Sequence, residues 1–242
     1  MNLVEALGAG TDTVCTVGAG GKKSTLYALA ARIERAVVTA TVRIPVFDRH
    51  VSEIVVTENP SVALQRAKAW PLGLVPRRDR DDRYEGYDTN TVATLAEENI
   101  ADAILVKADG ARMSEFKAPG DCEPQIPSTA RTILPIASAQ IVGKALTDEY
   151  VHRPEQVAAI TGLSEGDIIS AEDVATVLAD EQGGLKGVPD DATVIPVVNK
   201  VDDGALEEVG RDIAAEVLHR ADVPHVALTR MTDDEPLVAV VD

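Results

Sequence analysis

Only two cysteines occur in the 242 residues, Cys15 and Cys122, far apart and without a C-x-x-C spacing. That excludes a disulfide framework and a four-thiolate zinc site, and a reducing cytoplasm is the expected setting. No stretch approaches the roughly 18 apolar residues a membrane span requires, and the start, Met1-Asn2-Leu3-Val4-Glu5, lacks the basic region of a secretory leader. Neither export nor membrane insertion is expected. Repeats, low-complexity tracts, an H-E-x-x-H spacing, a Ser-His-Asp order and a pair of catalytic carboxylates are all missing. Lysine is scarce, with 8 among 23 cations set against 40 acidic residues, for a net charge of −17. No basic stripe exists to neutralise successive phosphates, so nucleic acid is not an expected partner. A surface this acidic repels itself in dilute buffer but stays hydrated when molar salt shortens the screening length to roughly 3 Å. That points to a salt-loving, halophilic host.

What is present is a series of short β-branched runs, several of them separated by amphipathic segments of helical length. The pattern predicts one α/β domain over residues 1–242: a doubly wound, mostly parallel sheet of the P-loop NTPase type, with a small helical insertion over Ile141–Gln182. Strands are expected at Thr13–Val17, Ala36–Thr41, Ala103–Ala108, Arg131–Ala137, Thr193–Val198, His225–Leu228 and Leu237–Val241. Helices are expected at Ser24–Arg35, Thr91–Asn99, Pro154–Thr161, Ala171–Asp180 and Ala205–Ala221, with Ser170 as an N-cap. The highly charged run from Arg77 to Asp88 reads as a surface loop. The Pro- and Gly-rich stretch from Ala108 to Ser128 follows a strand end, where α/β folds place ligands.

Three motifs carry possible chemistry. The strand Val14-Cys15-Thr16-Val17 runs into Gly18-Ala19-Gly20-Gly21-Lys22-Lys23-Ser24-Thr25 and then a helix. Glycines free backbone N–H groups to turn toward an anion, the helix N-terminus adds partial positive charge, and a lysine reaches outer phosphates. The turn is shorter than G-x-x-x-x-G-K-[ST], Lys23 stands where a hydroxyl would bind Mg²⁺, and Ser24 comes one residue late. Mur-type amide ligases also use a short G-x-x-G-K turn, and a ligand-free glycine turn has the same spelling. Second, Asn199-Lys200-Val201-Asp202 matches the N-K-x-D that reads guanine in GTPases, the Asp accepting from the base while Asn and Lys brace the pocket. Third, Ala103-Ile104-Leu105-Val106 leads through Lys107-Ala108 to Asp109-Gly110, where a Walker B carboxylate would hold Mg²⁺. An ordinary polar turn and a turn-capping aspartate remain the plain alternatives for these two. Thr39, Thr41 and Arg43 end the second strand, and His152 and Arg153 read as exposed caps of the insertion.

Together these segments resemble the YqeC family, described as accessory proteins of selenium-dependent molybdenum hydroxylases or selenium cofactor biosynthesis proteins. The resemblance rests on Val17–Lys22, on Thr39-Ala40-Thr41-Val42-Arg43-Ile44, and most specifically on Lys107–Arg112 with Lys117-Ala118-Pro119 and Glu123-Pro124-Gln125-Ile126-Pro127. His152-Arg153-Pro154-Glu155 and Asn199–Asp202 add to it. Lys107 replaces the family's usual Glu, Lys23 its usual Thr, and Cys122 a common His. The resemblance implies nucleotide-dependent help in maturing a molybdenum or selenium cofactor, with a molybdenum hydroxylase or its cofactor-assembly proteins as partner. The expected assignment is GTP or ATP with Mg²⁺. Gly18, Ala19, Gly20, Gly21, Lys22, Lys23, Ser24 and Thr25 hold phosphates, and Asn199, Lys200 and Asp202 read the base. Ser24 and Asp109 hold the metal, Asp109 and Lys22 act in catalysis, and Arg112, Lys117 and Glu123 form a substrate or partner loop. Two other classes stay open: a non-hydrolysing nucleotide-binding cofactor chaperone, and a small-molecule kinase or ligase.

Overall fold

The computed structural model describes residues 1–10 and 12–242. Its centre is strand β1 (Asp12–Gly18), whose five residues Thr13–Val17 are all buried. A strand covered on both faces reads as a continuous apolar run rather than an alternation, which is why Thr-Val-Cys-Thr-Val works here. The other long-range partners are β2 (Ala36–Ala40), β3 (Glu53–Val56), β4 (Leu72–Val75), β5 (Ala103–Lys107), β6 (Ala130–Ser138), β7 (Val197–Asn199), β8 (Val226–Thr229) and β9 (Leu237–Val241). They lie in the order β9-β8-β7-β6-β1-β5-β2-β4-β3, and a tenth short piece, Thr193–Val194, also pairs with β6. Of the pairings within this sheet among the described residues, only β8 with β9 is antiparallel.

Helices α1 (Leu3–Ala6), α2 (Lys22–Ala30), α3 (Pro60–Gln65), α4 (Thr89–Glu97), α5 (Pro154–Thr161), α6 (Ala171–Ala179) and α7 (Gly204–Arg220) complete the fold. Leu26 and Leu29 of α2 pack with Val14, Val38, Leu105 and Leu134 on one side of the sheet. Alternate residues of the same strands, Cys15, Val17, Val37, Ile104 and Val106, pack with Leu64 of α3 and with Val92 and Leu95 of α4. On that side too, Val198 and Leu228 meet Val174 and Leu178 of α6 and Ile213 and Val217 of α7. No helix among the described residues is long and apolar enough to cross a membrane.

Most expected elements are present with ends shifted by a few residues, and Ser170 caps α6 in a reciprocal box with Asp173. Four findings differ from the sequence pattern. Strands β3 and β4 and helices α1 and α3 were not among the expected elements. The run Thr193–Val198 is broken between Val194 and Val197, because Pro196 has no N–H to give a ladder. The charged segment after Arg77 is no plain surface loop: Arg78–Arg80 and Arg83–Tyr84 pair as strands, and Ile44–Pro45 joins them. Its two tyrosines, Tyr84 and Tyr87, are buried, with Tyr87 Oη donating to Thr57 O at 2.7 Å.

The registers decide where chemistry can occur. Thr16 lies opposite Lys107, Ala40 also opposite Lys107, Gly18 opposite Ile136, and Ser138 opposite Asn199. The C-terminal ends of β1, β2, β5, β6 and β7 therefore share one edge. Along the chain, β2 to β5 build one side of β1, and β6 to β9 the other. In open α/β sheets, the carboxyl edge at such a reversal of strand order is the usual ligand position.

Candidate functional site

The turn from β1 to α2 can close only with glycine at its tight points. Gly18 and Gly20 both have φ near +85°, and a Cβ on Gly20 would stand 2.7 Å from Glu115 O and from Ser138 N. Gly21 at φ +155° lies against the Asn199 amide, which a Cβ would meet at 2.1 Å. Three donors of the turn face protein rather than open space. Gly18 N donates to Asp109 Oδ2 at 2.8 Å, Ala19 N to Ile136 O at 2.8 Å, and Gly20 N to Ser114 O at 3.2 Å. The next stretch differs. No side chain caps α2 among the described residues, and the first N–H groups of a helix have no acceptor within it. Lys22, Lys23 and Ser24 thus present an uncapped, partially positive helix end.

Beneath that end lies a cluster of buried charge. Lys22 is 5% exposed, Lys107 6%, Asp109 1% and Lys117 3%. Lys22 Nζ meets Asp109 Oδ1 at 2.7 Å and donates to Gly18 O. The Oδ1 contact is a charge contact without good hydrogen-bond direction. Lys117 Nζ bridges Asp109 Oδ2 at 3.0 Å and Glu123 Oε2 at 2.7 Å. Arg153 Nη1 reaches the same Glu123 oxygen at 2.6 Å, while Glu123 Oε1 accepts from Gly110 N at 3.1 Å. Lys107 Nζ donates to Arg43 O at 2.9 Å and Asp109 O at 2.7 Å. Four basic side chains thus surround two carboxylates.

The electrostatics follow from burial. Desolvation pushes the Lys107 amine down to about 7, reinforced by Lys22 and opposed by Asp109 and Glu123. Desolvation likewise lowers Lys22, against the pull of Asp109. Burial alone would raise the Glu123 carboxyl, but Lys117, Arg153 and the Gly110 N–H together outweigh it and hold it at about 2. In a chain of net charge −17, this buried cluster of basic groups lies beside an uncapped helix end, and an anion there would favour the protonated form of the lowered Lys22 and Lys107 amines.

Asn199, at the end of β7, ties this region together. Its Nδ2 donates to Gly20 O at 2.8 Å, and its Oδ1 accepts from Thr229 Oγ1 and Met231 N, each at 3.1 Å. Lys200 has a left-handed backbone at φ 60° and pairs with Glu115. Asp202 is exposed and accepts from Gln140 Nε2 at 2.7 Å.

The remaining expected residues are spread over the first turn of α2, the Asp109 cluster and the loops around them. Thr25 is buried and donates to Gly21 O at 3.1 Å, and Ser24 is half-buried on the first turn of α2. Lys117 and Glu123 sit with Asp109, so the Lys117 side chain points inward rather than forming an outward surface. Arg112 is exposed in a left-handed conformation, and Lys23 turns to Met113 Sδ at 3.5 Å. Thr39 donates to Leu74 O, Thr41 to Gln125 O, and Arg43 pairs with Asp79. Sequence reasoning did not find Glu115 as the partner of Lys200 or Arg153 as the partner of Glu123. Arg153 is the N-cap of α5, but its left-handed backbone, φ 61° and ψ 64°, comes with a guanidinium turned back onto Glu123.

Fold and site together define an α/β protein with a mostly parallel sheet, whose carboxyl edge holds a glycine turn over buried lysines and a central aspartate. Comparison with known proteins assigns the family. The YqeC protein family matches residues 14–155, more than half of the chain, so the chain belongs to it. A relative from Escherichia coli K12, bearing the name Uncharacterized protein YqeC, is 26% identical over 193 residues, covering 77% of this chain and 75% of that protein. The stretch matched by the family, residues 14–155, contains the glycine turn, Lys107, Asp109, Lys117, Glu123 and Arg153, and stops before Asn199.

Proposed function

We propose that this protein binds a nucleoside triphosphate, GTP or ATP, in the manner of P-loop NTPases. The observation that carries this reading is the uncapped N-terminus of α2 above the buried cations Lys22, Lys107 and Lys117. The phosphate donors in this reading are the N–H groups of Lys22, Lys23 and Ser24 rather than those of Gly18 to Gly20, which already have protein acceptors. Ser24 and Asp109 are the groups that would hold Mg²⁺, which would spread phosphate charge. Asn199, bonded to Gly20 O, would brace the loop, and Asp202, exposed and accepting from Gln140 Nε2, is the group that would read the base. The family resemblance supplies the setting: an accessory protein for maturation of a molybdenum hydroxylase or selenium cofactor.

A second reading, binding without hydrolysis, is favoured by one observation. Both Asp109 oxygens are engaged, by Gly18 N, Lys22 and Lys117, and Lys23 stands where a metal-binding hydroxyl would be. Positive charge stabilises bound phosphate without positioning a water. Titration of labelled GTP and ATP with Mg²⁺ in molar KCl tests both. Saturable binding to either nucleotide supports the proposal, and binding to neither refutes it. A preference for ATP removes the guanine assignment alone. Phosphate release during the same titration separates an NTPase from a non-hydrolysing carrier, and turnover that appears only in Lys23→Thr selects the carrier.

A further inference from the structure

Lys23 leads away from the phosphate loop into a second cluster of cations. One helical turn further along α2, Tyr27 stacks on His50 with ring centroids 3.9 Å apart and planes 7° from parallel. His50 ends the short 3₁₀ turn Asp48–His50, which follows the fully buried Phe47. Phe47 in turn stacks on Tyr27 at 6.3 Å and meets Tyr84 edge-on at 5.9 Å, so the turn is pinned to α2. Arg49 Nε lies 3.2 Å from His50 Nε2. A guanidinium only donates, so Nε2 is the accepting nitrogen and the ring proton sits on Nδ1. Burial, then Arg49 and Lys23, lower the His50 pKa and keep the ring neutral. The cluster offers an ammonium, the guanidinium Nη groups and an imidazole N–H.

None of these cations meets a carboxylate among the described residues, although acidic groups outnumber basic ones 40 to 23. Other arginines behave differently: Arg43, Arg77 and Arg83 pair with Asp79, Glu85 and Asp82. Asp48, next to Arg49 in sequence, instead accepts from Tyr84 Oη at 2.9 and 3.1 Å. Lys23 and Arg49 repel each other enough that Arg49 adds to the lowering of the Lys23 pKa by burial. Like charges held together without a counter-charge are unfavourable until an anion joins them.

We propose that Lys23, Arg49 and His50, braced by Tyr27, form an anion subsite for the phosphate or carboxylate of a small second ligand, one helical turn from the nucleotide site. This goes beyond the nucleotide reading and relies on it only for the identity of the neighbour. The probe is inorganic phosphate, titrated into the full-length chain and followed by the side-chain NMR signals of its four histidines, assigned with single His→Gln variants. The His50 signals should move saturably, and Arg49→Gln should weaken that response about tenfold, the worth of one charge-assisted contact. An unmoved His50, or an equal response in Arg49→Gln, overturns the subsite. Lys22→Ala separates the two sites: the phosphate response at His50 should persist while nucleotide affinity drops. If GTP displaces phosphate from His50, the cluster belongs to the nucleotide's own phosphates and the second ligand is refuted. Phosphate binding at His50 without any nucleotide binding leaves the subsite standing and sinks only the nucleotide reading.

Discussion

Asp109 stands at 1% exposure between Lys22 and Lys117, and its removal would leave buried ammonium groups facing one another. Breaking a buried pair from one side costs about 3–5 kcal/mol, because the remaining charge has no partner. Asp109→Asn should lower unfolding free energy by about that much in denaturant titration at fixed salt, and a loss under about 1 kcal/mol would mean the ammoniums are relieved in another way. Two pKa shifts give opposite ends of a pH profile. Glu123 is held at about 2 against an ordinary 4.5, so its contribution is complete above pH 4.5 and fades as pH falls toward 2. Lys107 titrates near 7 when folded and at the ordinary 10.5 when unfolded, so the unfolded chain binds the extra proton between those values. Stability from this group therefore rises as pH rises from 7 to 10.5. Denaturation midpoints against pH should show Glu123→Gln flattening the acid limb and Lys107→Met flattening the alkaline one.

At the scale of elements, the site depends on how strand ends meet. Asn199 joins the turn after β1 to the end of β8 and the residues just beyond it through three hydrogen bonds at 3% exposure. Asn199→Ala strands those groups in a buried place and should cost about 2–3 kcal/mol, read by thermal unfolding, with nucleotide affinity falling as the loop loosens. Unchanged stability would remove Asn199 as the brace. The glycine turn, the Asp109 strand end and the N-K-x-D were legible because each is spelled in consecutive residues beside an apolar run. Strands β3 and β4 were not. Gly73 interrupts the apolar run Leu72–Val75 and reads as punctuation, yet it lies in the sheet because a Cβ there would meet Phe47 Cε2 at 2.8 Å. The charge cluster was hidden for another reason. Lys117, Glu123 and Arg153 come together through the pairing of Phe116–Lys117 with Val151–His152, and a two-residue ladder leaves no periodic trace in sequence.

For the molecule as a whole, the acidic surplus and the cationic site are separate features. The net charge of −17 is carried largely by exposed carboxylates, whose repulsion salt screens over roughly 3 Å at 1 M. The unfolding temperature should therefore climb between 0.1 and 2 M KCl, and an unchanged value would remove the halophilic reading. The buried cations are screened less. Nucleotide binding should consequently survive in molar salt, unlike attraction between exposed charges. The most direct test of the account is equilibrium dialysis of GTP and ATP with Mg²⁺ at 2 M KCl against the full chain and its Lys22→Ala variant. The account predicts saturable binding of at least one nucleotide to the wild type, weakened about tenfold by loss of the Lys22 charge. No binding to the wild type, or equal binding by the variant, would contradict it.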